Sequence, residues 1–148
     1  MRYLVGFETC STYKLNLVYD LLPSILKQLK IDGLGAMLIV TQLEKEQDYL
    51  GITVEHRPDV YVVAIKTNVD EREMARVLAH EIVHVKQMLT GNLVQKVVKG
   101  VPTTTVMWKG KKFDVDKVEW IRRPWEREAV MLGELLLQTY SSKFKVHE

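Results

Sequence analysis

The chain has little of what would staple or anchor a protein from outside its own core. Cys10 is its single cysteine, so neither an intrachain disulfide nor a sulfur-rich zinc site can form. One thiol in 148 residues fits a reducing compartment. No stretch approaches the roughly 20 apolar residues of a membrane span, and the amino terminus reaches Glu8 before any apolar run long enough for a signal peptide. A cytoplasmic protein with no membrane partner is expected. Charge of one sign is also scarce. The formal charge is +2, and the basic clusters reduce to Lys109, Lys111 and Lys112 and to Arg122 and Arg123. That is far less than the basic bias of most nucleic-acid binders, which disfavours nucleic acid as a partner. Repeats and low-complexity stretches are absent, and the length suits one core, so residues 1–148 read as a single domain.

Histidine is sparse too, with four in the chain, yet two of them fall in Met74-Ala75-Arg76-Val77-Leu78-Ala79-His80-Glu81-Ile82-Val83-His84-Val85-Lys86-Gln87-Met88. On a helix, residues four apart lie one above the other on one face, with Glu81 about a quarter turn to the side. Two neutral imidazoles so placed can hold one Zn²⁺, and a neighbouring carboxylate that does not bind the metal can take a proton from water. The spacing predicts that helix. Asp70 is its candidate N-cap with Glu73 three residues on, and Gly91 is its stop. Ala75, Leu78, Ala79, Ile82, Val85 and Leu89 form an apolar stripe beside the histidine face.

The rest of the pattern predicts an α+β protein. Residues 11–30 have helical spacing with Ser11 or Thr12 as N-cap, and Pro23 either kinks that helix or divides it in two. Met37–Val40, the alternating Leu50, Ile52 and Val54, and Val60–Ile65 after an Arg57-Pro58-Asp59 turn read as three strands of a small, largely antiparallel sheet. Lys109-Gly110 reads as a hairpin turn between β-prone stretches. A last helix starts near Pro124, with Trp125, Ala129, Leu132, Leu136 and Tyr140 as its core stripe, and Lys143–Glu148 reads as a frayed tail.

A third zinc ligand must come from downstream, where the acids are Asp114, Asp116, Glu119, Glu126, Glu128 and Glu134. Glu126 is the choice. It falls in the first turn of the last helix, where a scaffold can hold it firmly, and Gly133 two turns on would let another helix or a metal site approach closely. Glu128, on the other flank of the same stripe, is the rival. Both also suit the positive end of a helix dipole with no ligand role.

His80-Glu81-Ile82-Val83-His84-Val85-Lys86-Gln87, followed about forty residues on by Pro124-Trp125-Glu126-Arg127-Glu128-Ala129, resembles the small zincin-like metallopeptidases of bacteriophage and bacterial genomes. More broadly it resembles a minimal gluzincin, whose third zinc ligand is a glutamate on a second helix. The resemblance covers Val60 to Leu137 and implies a zinc-dependent metallopeptidase with one Zn²⁺ per chain. His80, His84 and Glu126 would be its ligands and Glu81 its general base. It also implies that Val60–Ile65 is an edge strand able to pair with a peptide or protein substrate, and that the setting is a bacterial or phage-infected cytosol. Two features depart from the pattern. Four residues after Glu126, where many gluzincins carry a residue that supports a ligand histidine, stands Val130. No residue is assigned to stabilise an oxyanion, for which Tyr49, Tyr61, Tyr140 and His147 are candidates by type alone; His56 reads as a loop histidine. Two alternatives remain at this level: a non-catalytic zinc-containing binding or assembly module, and a protease acting on nucleic-acid-associated proteins.

Overall fold

The computed structural model describes residues 1–138. Its elements run β1 (Arg2–Gly6), α1 (Thr12–Gln28), β2 (Met37–Gln42), β3 (Gly51–Arg57), β4 (Val60–Ile65), α2 (Glu71–Leu89), β5 (Leu93–Val98), β6 (Val101–Trp108), β7 (Lys111–Asp114) and α3 (Pro124–Leu137), with two short 3₁₀ turns, Val115–Lys117 and Trp120–Arg122, before α3. The fold is α+β. Tyr140, His147 and the expected tail at Lys143–Glu148 lie outside the described residues.

Local signals and structure agree at the helix ends. Ser11 caps α1 by accepting from the Lys14 N–H, and α1 is a single helix through Pro23. Asp70 Oδ1 accepts from the Glu73 N–H at 2.8 Å. The Glu73 carboxylate does not return to the cap but pairs with Arg76. Beyond Leu89 the chain turns at Gly91, whose φ of 76° is a left-handed conformation that glycine adopts without penalty. Lys109 and Gly110 both have positive φ, as a two-residue hairpin turn requires.

Pairing order departs from expectation. Among the described residues three of the five strand pairings are antiparallel, but β2 runs parallel to both β1 and β4. The four-stranded sheet has the order β1-β2-β4-β3, and β5-β6-β7 form a separate antiparallel sheet. Val60–Ile65 is therefore corrected from an edge strand to an interior one. It lies between β2 and β3, with alternate side chains fully buried on one face, whereas β3 carries Glu55, His56 and Arg57, the polar side chains of an edge. His56 accordingly sits in β3, exposed, and not in a loop.

The core lies between one face of the larger sheet and the helices. Leu38 and Val40 of β2 and Tyr61, Val63 and Ile65 of β4 are buried with Leu22 and Ile25 of α1 and Leu78 and Ile82 of α2. A second, smaller cluster gathers Leu93, Val106, Trp108 and Trp125 where the small sheet meets α3. α3 lies across α2 at a glycine: a Cβ built on Gly133 would sit 3.4 Å from the His80 nitrogen and 3.5 Å from its Cα. That is ordinary contact for a methyl and leaves no room for more. Gly133→Ala should change unfolding free energy by less than about 1 kcal/mol, because better helix propensity offsets the tight fit. Gly133→Leu should lose roughly 1–3 kcal/mol by overpacking; urea titrations of the two variants test this pair.

Candidate metal centre

α2 presents His80 and His84 from the face beside its core stripe, and α3 brings Glu126 to them from 42 and 46 residues away. Glu126 Oε1 lies 2.9 Å from His80 Nε2 and 2.8 Å from His84 Nε2, and the two Nε2 atoms are 3.2 Å apart. The donor atoms of His80, Glu81 and His84 all lie within 4.8 Å of one another, a buried group that could hold a metal ion. Glu128 does not join them. Its carboxylate accepts instead from Gln87 Nε2 at 3.1 Å.

Gln87 organises the site from behind, although its place three residues after His84 is the only trace of this in the chain. It is almost fully buried. Its amide nitrogen donates to the Trp125 carbonyl at 3.0 Å and to Glu128, both of which can only accept, so its carbonyl must face His84 Nδ1, at 2.7 Å. Nδ1 of His84 therefore carries a hydrogen, and a neutral ring would turn its Nε2 lone pair towards Glu126. Gln87 thus takes up the supporting task left open by Val130, and it ties α2 to the turn that carries Glu126.

Glu81 is held by β3. Thr53 Oγ1 lies 2.9 Å from Glu81 Oε1 and 3.0 Å from the Glu81 carbonyl, and can donate to either. Gly51 allows this approach, since a Cβ there would come within 2.7 Å of Val77 Cγ1 and 3.0 Å of Glu81 Cγ. The inward positions of β3 are thus small or hydroxylated, while Ile52 and Val54, the apolar half of the alternation, face away and are exposed. Trp120, in the second 3₁₀ turn, stacks on the His80 ring at 5.9 Å between centroids and 15° between planes. Among the described oxyanion candidates, Tyr49 lines the site and Tyr61 is buried in β4, away from it.

These groups open onto a cleft of about 470 Å³. One wall is Tyr49 to Thr53, the floor is α2, and the far wall includes Leu93, Gln95 and Val106 of the small sheet. The electrostatics follow from enclosure. Burial pushes the Glu81 carboxyl up, with His84 and His80 opposing. For Glu126 burial acts in the same sense, but hydrogen bonds and charge from the two histidines prevail and hold it at about 2. Burial alone would lower His84, yet contact with Glu126, reinforced by Glu81 and Gln87, leaves it raised.

No family model matches the chain, and no curated protein or solved structure matches it either.

Two outcomes follow for the metal-free protein. Glu126 is depressed from 4.5 to about 2, so it contributes stability above its unfolded pKa that is lost as pH falls between those values. His84 is raised from 6.5, so its contribution is complete below that value and disappears as pH climbs through the folded pKa. Denaturation midpoints measured against pH should fall on both sides, and Glu126→Gln should flatten both limbs. Gln87→Leu should cost roughly 2–4 kcal/mol by leaving the His84 Nδ1–H and the Trp125 carbonyl unsatisfied. Gln87→Glu, which sets a carboxylate against Glu128, should be rescued in part by adding Glu128→Gln; equal stability of the single and double variants would contradict the network.

Proposed function

We propose that the chain is a zinc-dependent peptide hydrolase of minimal zincin type, with His80, His84 and Glu126 as metal ligands and Glu81 as general base. The observation that carries this reading is the convergence of two imidazole nitrogens and a carboxylate oxygen within 2.8–3.2 Å of one another. With Nδ1 of His84 committed to Gln87, a neutral His84 turns its Nε2 lone pair towards the Glu126 carboxylate, and a cation among the three groups would take the place of the proton that otherwise has to lie between them. The spacing is close to the edge of about 3.3 Å expected between ligands of a tetrahedral zinc ion with bonds of about 2.0–2.1 Å. The donor set of two nitrogens and one oxygen, reached from an open cleft, is that of a catalytic rather than a structural zinc.

A zinc ion held by these three groups supplies the Lewis acidity that makes water acidic near neutral pH and polarises a carbonyl. Glu81 is placed to accept that proton. Its carboxyl is raised by burial, which brings its basicity towards the range useful for proton transfer near neutrality, and Thr53 aims it. Glu81 then hands the proton to the leaving amine. Gln87 keeps His84 in the tautomer whose Nε2 faces the metal, and Trp120 restrains the His80 ring from the solvent side.

Among the described residues, the free strand edge beside the site is that of β3, whose neighbour on one side is β4 and which has none on the other. An extended peptide pairing there, and not with Val60–Ile65, would pass over the metal ligands. Among the described residues no helix is long and apolar enough to cross a membrane.

Glu81→Gln should keep one zinc per chain and lose peptide hydrolysis by about 10³-fold or more, as expected when the general base is removed. Glu126→Ala should lose the metal, and Glu128→Ala should retain it. Metal analysis of the three purified proteins, together with cleavage of a mixed peptide library, decides the matter. Zinc retained by Glu126→Ala would remove Glu126 from the ligand set, and unimpaired cleavage by Glu81→Gln would sink the mechanism. Stoichiometric zinc in a wild type that cleaves nothing would make the chain a metal-containing binding module.

A further inference from the structure

Between Glu81 and Asp114 the chain carries six lysines and no acidic residue. Against a total of +2, that leaves the rest of the molecule at −4. Lys86 lies in α2, Lys109, Lys111 and Lys112 lie at the β6–β7 turn, and Lys96 and Lys99 lie on the β5–β6 hairpin, whose tip is unusually apolar for a solvent-facing turn. Val97, Val98 and Val101 are 53%, 49% and 63% exposed, and Pro102 is exposed beside them. Lys96 and Lys99 punctuate the same stretch.

The hairpin is also a firm structure. Lys99 and Gly100, with φ of 50° and 78°, close it in two residues. Thr103 Oγ1 donates to the Lys96 carbonyl at 2.8 Å, fastening the irregularity between Gln95 and Val97. Its position is set by register. Gln95 pairs with Val106, and both line the cleft. Alternate residues of a strand share a face, so Val97 continues the face of Gln95 with Pro102 opposite it, while Val98 and Val101, the next pair, lie on the reverse face. Two residues of β5, from Gln95 to Val97, carry that wall about 7 Å past the cleft, β6 bulging over the same span. β5 is an outer strand of its sheet, and among the described residues no strand pairs with its other edge.

We propose that the β5–β6 hairpin is a second binding surface for an extended polypeptide substrate, and that it recognises a segment carrying apolar and acidic side chains several residues from the scissile bond. This rests on the peptide-hydrolase reading and deepens it. A strand added at the β5 edge would set alternate side chains against its two faces: Val97 and Pro102 supply apolar area on the cleft face, Val98 and Val101 supply it on the reverse, and Lys96 and Lys99 supply charge that matches acids and repels bases. The continuity of the wall with the cleft favours a substrate over an unrelated partner. The site would thus act on unfolded or extended chains in preference to short peptides.

Binding can be read without hydrolysis, by fluorescence anisotropy of labelled synthetic peptides. One set is a six-residue core, a sixteen-residue extension with alternating leucine and glutamate, and the same extension with lysine for glutamate. The extension is placed at the amino end in one version and at the carboxyl end in another. Wild type should bind one acidic sixteen-mer on the order of ten-fold more tightly than its lysine counterpart or the core. The triple variant Val97→Ser, Val98→Ser, Val101→Ser should lose that advantage while binding the core unchanged. Lys96→Glu with Lys99→Glu should invert the preference towards the lysine peptide, an outcome that misfolding would not produce. Equal binding of all peptides by wild type and the serine variant would overturn the proposal. So would hairpin-dependent binding to phosphatidylserine vesicles with no discrimination among peptides. Loss of hydrolysis with this discrimination intact would refute the peptidase reading alone.

Discussion

A carboxylate on one helix has to reach two imidazoles on another, and the separation of the helix axes decides whether it can. In this protein that separation is set where Gly133 meets the backbone of His80. With a side chain larger than a methyl at that point α3 would stand further from α2, and Glu126, two turns earlier on the same helix, would be carried away from His80 and His84. The other constraints on the site are arranged around this contact. Pro124 starts α3 at the right residue, and Gln87 bonds to the Trp125 carbonyl to fix the turn before Glu126. The packing of Trp125 against Trp108 and Phe113 holds the same turn from the side of the small sheet.

The cluster has an electrostatic logic that no single residue carries. Two carboxylates and two imidazoles share a nearly buried volume, and each shifts the others. Glu126 is drawn fully into its charged form by the histidines, while Glu81, held by a hydroxyl and screened from solvent, is drawn towards neutrality. Chemically similar side chains on opposite sides of the same imidazoles thus acquire opposite tendencies. That division follows from what each carboxylate touches rather than from its distance to water alone, and under the proposed function it would separate a ligand from a base.

Much of the arrangement was legible in the chain because it is local. Asp70, Gly91, Pro124 and Lys109-Gly110 act within a few residues of themselves, and periodicity marked α1, α2 and α3 through their apolar stripes. His80, Glu81 and His84 share a helix, so their meeting was a matter of spacing. Glu126 could be chosen from the chemistry of the first turn and from Gly133. What did not show was pairing order. Arg2–Gly6 is a five-residue strand with no strong alternation of its own, and it exists because β2 offers it a parallel partner. Whether β4 is interior or edge depends on where β2 docks after a loop, which no local pattern records, although the charged end of β3 held a hint. Gln87 was invisible as a positioning residue because its three partners lie on two helices and only one is near it in the chain. The sheet that forms the far wall of the cleft was legible as hairpin chemistry but not as a wall.

The glycine that brings the helices together has a further consequence, in the order of events during folding. A glycine in the middle of a fourteen-residue helix costs about 1 kcal/mol of helix propensity, so α3 on its own is a weak helix and gains its stability by docking. α2, longer and capped at Asp70, carries both imidazoles within one turn and can present them early. The third donor then arrives only when contacts spanning some forty residues have formed, a closure whose entropy is met late on the path. The cluster of two imidazoles and a carboxylate is complete only in the native state, so under the proposed function metal affinity would double as a measure of tertiary order, a partly folded chain presenting two donors in place of three.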